Sequence, residues 1–181
     1  MSQPCVLLGV TGSIAAYKSA IIASALMKKG VDVVAVMTAS ATEFLGPVTL
    51  ASMTHNPVYT GMFAPAENLT PTHISLRDRA DLVCVAPATA NCMAKYAGGI
   101  ADDLLTSTLI SVTVPVIFAP AMNSVMWRHP ATQANLKTLE ERGVTFIGPE
   151  SGRLVCEDDD IGRLADPEKI VAACLEKLGI S

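Results

Sequence analysis

The chain has 181 residues, half of them hydrophobic, with 13 Lys and Arg against 17 Asp and Glu, a net charge of −4. That length suits one domain with a sizeable core, since about 68–70% of the unfolded surface is buried at ~150 residues. The acidic balance and the 4% aromatic content exclude a basic field for nucleic acid and a stacking platform for single strands, and the apolar fraction excludes disorder.

In chain order, Cys5–Val10 reads as a short buried strand, broken by Thr11-Gly12-Ser13. Ser13 is placed to cap a helix from Ile14 to Lys29 that stops at Gly30. Val31–Met37 is a second strand, followed by helical segments over Ala41–Leu45 and Pro47–Met53. Residues 56–72, with three prolines, read as irregular, and so does the segment Pro71–Leu76 that carries His73. Asp81–Ala86 is a third strand, Asp102–Val112 a helix and Val114–Ala119 a fourth strand. Ala131–Arg142 is an amphipathic helix, Val144–Ile147 a fifth strand, and Pro167–Leu178 the last helix. Continuous apolar strands alternating with helices predict an α/β fold: one doubly wound parallel sheet, a flavodoxin- or Rossmann-like three-layer sandwich. Residues 1–181 are expected to form one domain.

The five cysteines, at 5, 84, 92, 156 and 174, are odd in number and lack CxxC spacing. They favour a reducing, cytoplasmic setting over a disulfide framework, and no metal site is expected. The N-terminus has no basic region and does not read as a signal peptide. Leu104–Trp127 carries no charge, but Pro115, Pro120 and scattered polar residues predict helix, strand and loop in place of a membrane span.

In such sheets ligands bind beyond the carboxyl ends of the strands. Four segments stand there: Gly12-Ser13, Thr38–Ser40, Pro87–Cys92 and Pro120–Trp127. Gly12-Ser13 opens a helix, whose free N–H groups and dipole suit one phosphate, but it matches neither the G-x-G-x-x-G nor the P-loop pattern. Thr38 and Ser40 add hydroxyls; the alternative is a second helix cap. Thr89 and Asn91 both donate and accept hydrogen bonds among small residues that let a flat ligand approach. Asn123 is a neutral group able to bind a carboxylate. His55 reads as a turn residue and His129 as the start of a helix. Cys156 precedes Glu157-Asp158-Asp159-Asp160, an acidic run that favours the protonated thiol, a poor nucleophile but a usable proton donor.

These segments resemble the homo-oligomeric flavin-containing cysteine decarboxylase family over nearly the whole chain. Gly12–Lys18 is similar to the family's first loop and helix, and Thr72–Leu76 to its histidine segment. Pro87–Cys92 is similar to its P-x-S-A-N-T loop, with Thr89 for Ser and Cys92 for Thr. Pro120–Trp127 fits its P-x-M-N-x-x-M-W motif in full. Gly152–Cys156 with Gly162–Pro167 resembles a substrate-clamping flap, about 149–165, although Glu157 and Leu164 stand where Gly and Met are usual.

The resemblance is to the branch that decarboxylates 4′-phospho-N-pantothenoylcysteine to 4′-phosphopantetheine in coenzyme A biosynthesis. It implies FMN, which carries the redox chemistry while the protein orients the reactants. The substrate would be oxidised to a thioaldehyde, lose CO2 to give an enethiolate, and be reduced again. His73 and Cys156 would be catalytic; Asn123, Met126 and Arg153 would bind substrate. Gly12, Ser13, Ile14, Thr38, Ser40, Phe44, Thr89, Ala90, Asn91, Cys92 and Ala121 would bind the cofactor. A trimer or trimer-based dodecamer is implied, and a mean hydropathy of +0.41 is consistent with apolar subunit interfaces. A separate phosphopantothenate–cysteine ligase would supply the substrate. The competing readings are an oxidative peptidyl-cysteine decarboxylase, a flavin prenyltransferase and a flavin-binding phosphatase regulatory subunit.

Overall fold

The computed structural model describes residues 3–63, 70–152 and 160–180. Its main sheet has six parallel strands: β1 (Cys5–Val10), β2 (Asp32–Met37), β3 (Val58–Tyr59), β4 (Leu82–Ala88), β5 (Val116–Pro120) and β6 (Thr145–Phe146). Their order is β3-β2-β1-β4-β5-β6, so the chain reverses direction across the sheet between β1 and β4. Every residue of β1, β4 and β5 is buried, which is why these strands read as continuous apolar runs.

Alternate residues of each strand feed two separate cores. Val6 and Leu8 of β1, with Val33, Cys84 and Ile117, pack against Ile22 and Leu26 of α1 (Lys18–Lys28) and Ile170 and Cys174 of α9 (Pro167–Leu178). Leu7 of β1, with Val34, Val83 and Phe118, packs against helices on the other face. These are α4 (Thr72–Arg79), α5 (Ala90–Gly98), α6 (Leu104–Ser111) and α8 (Pro130–Glu141), through Leu76, Met93, Leu105 and Leu139. Burying a side chain of this size contributes about 1.5–3 kcal/mol. Gly9 is what lets α6 lie flat on the sheet: a Cβ there would stand 2.7 Å from Leu105 Cδ1.

The sequence reading holds for the order of the major strands and for α9, which spans the expected residues. It needs correction in four places. A sixth strand, β3, lies inside the segment read as irregular; two residues are too short for a period to register. His73 stands on α4, whose only buried side chains are Thr72 and Leu76, so no apolar stripe announces the helix. Pro87–Cys92 is not one loop: it ends β4 and starts α5, with Thr89 between them as the cap. Two short helices, α2 (Ala39–Thr42) and α7 (Ser124–Arg128), begin within the other strand-end segments, beside α3 (Pro47–Thr54).

The flap region contributes an antiparallel hairpin, β7 (Glu150–Gly152) with β8 (Asp160–Arg163). No helix among the described residues is long and apolar enough to cross a membrane. The uncharged stretch Leu104–Trp127 instead forms α6, β5 and most of α7.

Candidate functional site

Beyond the carboxyl ends of β1, β2 and β4, at the point where the strand order reverses, lies a cavity of about 420 Å3. Thr11, Gly12, Thr38, Ala39 and Ser40 line one side. Thr89, Asn91, Cys92 and Lys95 of α5 and its cap, Asp103 and Thr106 of α6, and Met126 of α7 line the rest. Of the residues expected to touch a cofactor or substrate, the fold therefore gathers Gly12, Thr38, Ser40, Thr89, Asn91, Cys92 and Met126. Ser13, Ile14, Phe44, Ala90, Ala121 and Asn123 do not line this cavity, nor does His73. Arg153 and Cys156 lie outside the described residues.

Local chemistry sets each wall. Ser13, Thr38 and Thr89 each cap the helix that follows their strand, accepting from the N–H of Ala15, Ala41 and Cys92, each at 3.3 Å. The alternative reading of Thr38 as a cap is met, and Thr38 and Thr89 also line the cavity, because a cap residue stands where strand passes into helix. The buried Thr11 hydroxyl ties two loops together: it donates to the Pro87 carbonyl at 2.7 Å and accepts from the Thr89 N–H at 3.0 Å. Gly12 faces Ser40 so closely that a Cβ would lie 2.4 Å from Ser40 Cβ. Among the described residues no hydrogen bond engages the Gly12 N–H. A free N–H without a side chain over it is what an anionic group needs to approach backbone.

The α5–α6 wall carries charge. Lys95 Nζ donates to Asp102 Oδ1 at 2.7 Å and Asp103 Oδ2 at 3.3 Å. The hydrogen bond that the ammonium donates to Asp102 leads in raising its pKa above the ordinary value. Asp103 caps α6, accepting from both the N–H and the hydroxyl of Thr106 at 2.8 Å. Burial, helped by the Asp103 charge, pushes the Cys92 thiol up to about 12, so this wall carries a protonated thiol. Sequence reasoning missed Thr11, Lys95, Asp103 and Thr106. The Asp103-x-x-Thr106 capping pattern was legible; that it faces a cavity was not.

Asn123 and the hairpin form a second, adjoining unit. Ala121 N–H donates to the Ala88 carbonyl at 3.1 Å, fixing the loop to β4. Met122 N–H donates to the Gly162 carbonyl at 3.0 Å, and a Cβ on Gly162 would lie 2.2 Å from Met122 O. Only glycine lets β8 approach the loop this closely, and its φ of +140 favours glycine as well. Asn123 Oδ1 caps α7 by accepting from Val125 N–H at 2.8 Å. Arg128 pairs with Asp160 across the gap, and Glu150 pairs with Lys169 at 2.6 Å and Arg163 at 3.1 Å. β8 is thus pinned to the loop that bears Asn123 and to α7, while Glu150 ties β7 to α9. Because α4 leads into the start of β4, its first turn with His73 stands at the carboxyl end of the sheet, the same end as the cavity. His55 closes α3 in the left-handed conformation, φ 55, and His129 Nδ1 caps α8 by accepting from Ala131 N–H at 3.2 Å. Among the described residues no three His, Cys, Asp or Glu side chains gather to hold a metal ion.

Residues 1–179 match the family model described as Flavoprotein. The chain belongs to this flavoprotein family. Within it, the chain is 46% identical over 166 residues to the coenzyme A biosynthesis bifunctional protein CoaBC of Bacillus subtilis, and 44% identical over 165 residues to that of Mycolicibacterium smegmatis. Those matches cover 92% and 91% of this chain but 41% and 39% of the relatives, so the flavoprotein spans about two fifths of their length. Among solved structures it is similar to a cysteine-to-serine mutant of PPC decarboxylase complexed with pantothenoylaminoethenethiol. The TM-score is 0.91 and the identity 34%, covering 98% of this chain and all of that one. The FMN-binding protein AtHal3 matches with a TM-score of 0.84 and 35% identity, covering 96% of this chain and 95% of that one. The FMN-dependent cysteine decarboxylase SpaF matches with 0.84 and 32%, covering 97% and 98%.

Proposed function

We propose that this flavoprotein binds FMN in the strand-end cavity and decarboxylates 4′-phospho-N-pantothenoylcysteine to 4′-phosphopantetheine, a step of coenzyme A biosynthesis. The observation that carries this reading is the agreement, over nearly the full chain, with the structure of PPC decarboxylase holding pantothenoylaminoethenethiol. The cavity itself fits the cofactor: about 420 Å3 lies within the range of small-molecule sites, and the Gly12 N–H at its wall is unspent among the described residues. FMN, when bound, supplies the acceptor and donor of hydride.

The chain's own residues then have these roles. Gly12, Ser13, Ile14, Thr38 and Ser40 hold the phosphate end, and Thr89, Ala90, Asn91, Cys92, Ala121 and Phe44 the remainder. Asn123, Met126 and Arg153 bind substrate, with the Asn123 amide on the carboxylate. His73 acts as base or orients the thiol-bearing carbon. Cys156 delivers a proton as the enethiolate is reduced.

His73 does not line the cavity of its own chain. Ile14, Tyr17, Ile21, Phe44 and Val48 are all exposed, between 48% and 73%. Both features support a homo-oligomer, a trimer or a dodecamer of trimers, in which copies complete each other's sites. A ligase supplies the substrate, in a cytoplasmic setting.

The test is anaerobic incubation of the purified chain with 4′-phospho-N-pantothenoylcysteine, with products read by mass and the flavin by its visible spectrum. Formation of 4′-phosphopantetheine with the flavin left oxidised is the expected result. Bleached flavin with an accumulating enethiol would make the chain an oxidative cysteine decarboxylase, and yellow protein without reaction would end the coenzyme A reading.

A further inference from the structure

Resting on the reading of the cavity as the flavin site, we propose that Lys95 is the cation that faces the ring of the bound flavin and favours its reduced state. Asp102 and Asp103 are the positioning residues that aim it. Three observations meet here. Lys95 lines the same cavity as Gly12 and Ser40, yet it stands six residues along α5 from its cap Thr89, about 9 Å further up the helix axis. The anion cradle is at Gly12, so Lys95 meets the other end of the ligand.

The ammonium has three N–H donors, and two are spent, on Asp102 and Asp103. The third is engaged by nothing among the described residues. The carboxylate that aims it is itself held: Asp103 is fixed to the first turn of α6 by the N–H and hydroxyl of Thr106. The Lys95 side chain is only 21% exposed, so its charge acts with less solvent screening than a surface lysine.

A tie between two helices would not need to face a cavity, and an ordinary exposed pair contributes little to stability. Reduction of a flavin places negative charge on its ring, and a fixed neighbouring cation favours that state.

The test uses the full chain loaded with FMN. Its two-electron midpoint is measured by titration with dithionite against a reference dye, and its FMN affinity by fluorescence. Lys95→Met is expected to shift the ratio of reduced to oxidised flavin about tenfold towards oxidised at a given potential, which is ~30 mV for a two-electron couple. FMN affinity should change by less than about threefold, under 1 kcal/mol. Lys95→Arg should restore most of the midpoint. An unchanged midpoint in FMN-loaded Lys95→Met overturns the inference. Loss of FMN from that variant overturns it too, by making Lys95 an anchor or a folding residue. A wild-type chain that binds no FMN would bring down the cofactor reading itself.

Discussion

The two ends of the same sheet handle polar groups in opposite ways. At the amino end, polar side chains close on one another. The Asn56 amide donates to Asp32 Oδ1 at 2.8 Å and to the Val33 carbonyl at 2.9 Å, while its carbonyl accepts from Arg79 at 2.8 Å. Arg79 also reaches Asp32 Oδ2 at 2.7 Å, and Asp81 takes the Cys5 N–H at 2.8 Å. Burial and the neighbouring Asp32 charge push the Cys5 thiol up to about 12. At the carboxyl end, Thr38, Thr89 and Asp103 serve as caps yet still line a cavity, and the Gly12 N–H is engaged by no hydrogen bond among the described residues. Polar groups that satisfy each other hold β2, β3 and α4 together; polar groups left facing space are available to a ligand. The comparison separates stability from binding, so substitutions at the two ends should fail in different assays.

The largest effect is expected at Gly12→Val. The new side chain would start 2.4 Å from Ser40 Cβ and 3.2 Å from its backbone and push Ser40 out of the cavity wall, so FMN affinity should fall about 100-fold or more, roughly 2.7 kcal/mol, with the helices and strands retained. Fluorescence titration and far-UV circular dichroism check both halves; a variant that binds FMN normally would mean that the ligand sits elsewhere.

Asn56→Ala should do the reverse. It strips Asp32 and Arg79 of a shared partner and should cost about 2–3 kcal/mol in urea unfolding, with FMN affinity unchanged.

The smallest effect is a pH dependence. Burial works against the Asp32 carboxylate, but hydrogen bonds from Asn56 and Arg79 outweigh it and hold its pKa below the ordinary value. A group depressed in the folded state stabilises fully above its unfolded pKa, near ~4, and that contribution is lost as pH falls through the folded value. Asp32→Asn should therefore lower stability at pH 7 and flatten the acid limb below pH ~4. Equal acid limbs in urea melts of the two proteins would place the acid sensitivity elsewhere.

Much of the carboxyl end was legible because it is built from local signals. Ser13, Thr38 and Thr89 are cap residues just after apolar runs, and the fold makes them caps. The amino-end network was not legible: Asp32, Asn56 and Arg79 are dozens of residues apart, and no periodicity links them. His73 shows the same limit. Its sequence neighbourhood has two prolines' worth of irregularity before it and few apolar residues after it, so the helix that carries it follows from packing of Leu76 against the sheet. Nothing in the local sequence links Lys95 and Asp103; only the crossing of α5 and α6 brings them to one wall.

The sequence by itself determined the class of fold and the end of the sheet at which a cavity opens. Strand burial on both faces leaves no polar alternation, and parallel strands joined by helices put every loop of one kind at one end. Only the tertiary structure decided which residues of those loops share a cavity. A cap such as Ser13 turns back on its own helix, while Gly12 beside it meets Ser40 from another loop, and that contact depends on the spacing of adjacent strands, which no single segment encodes.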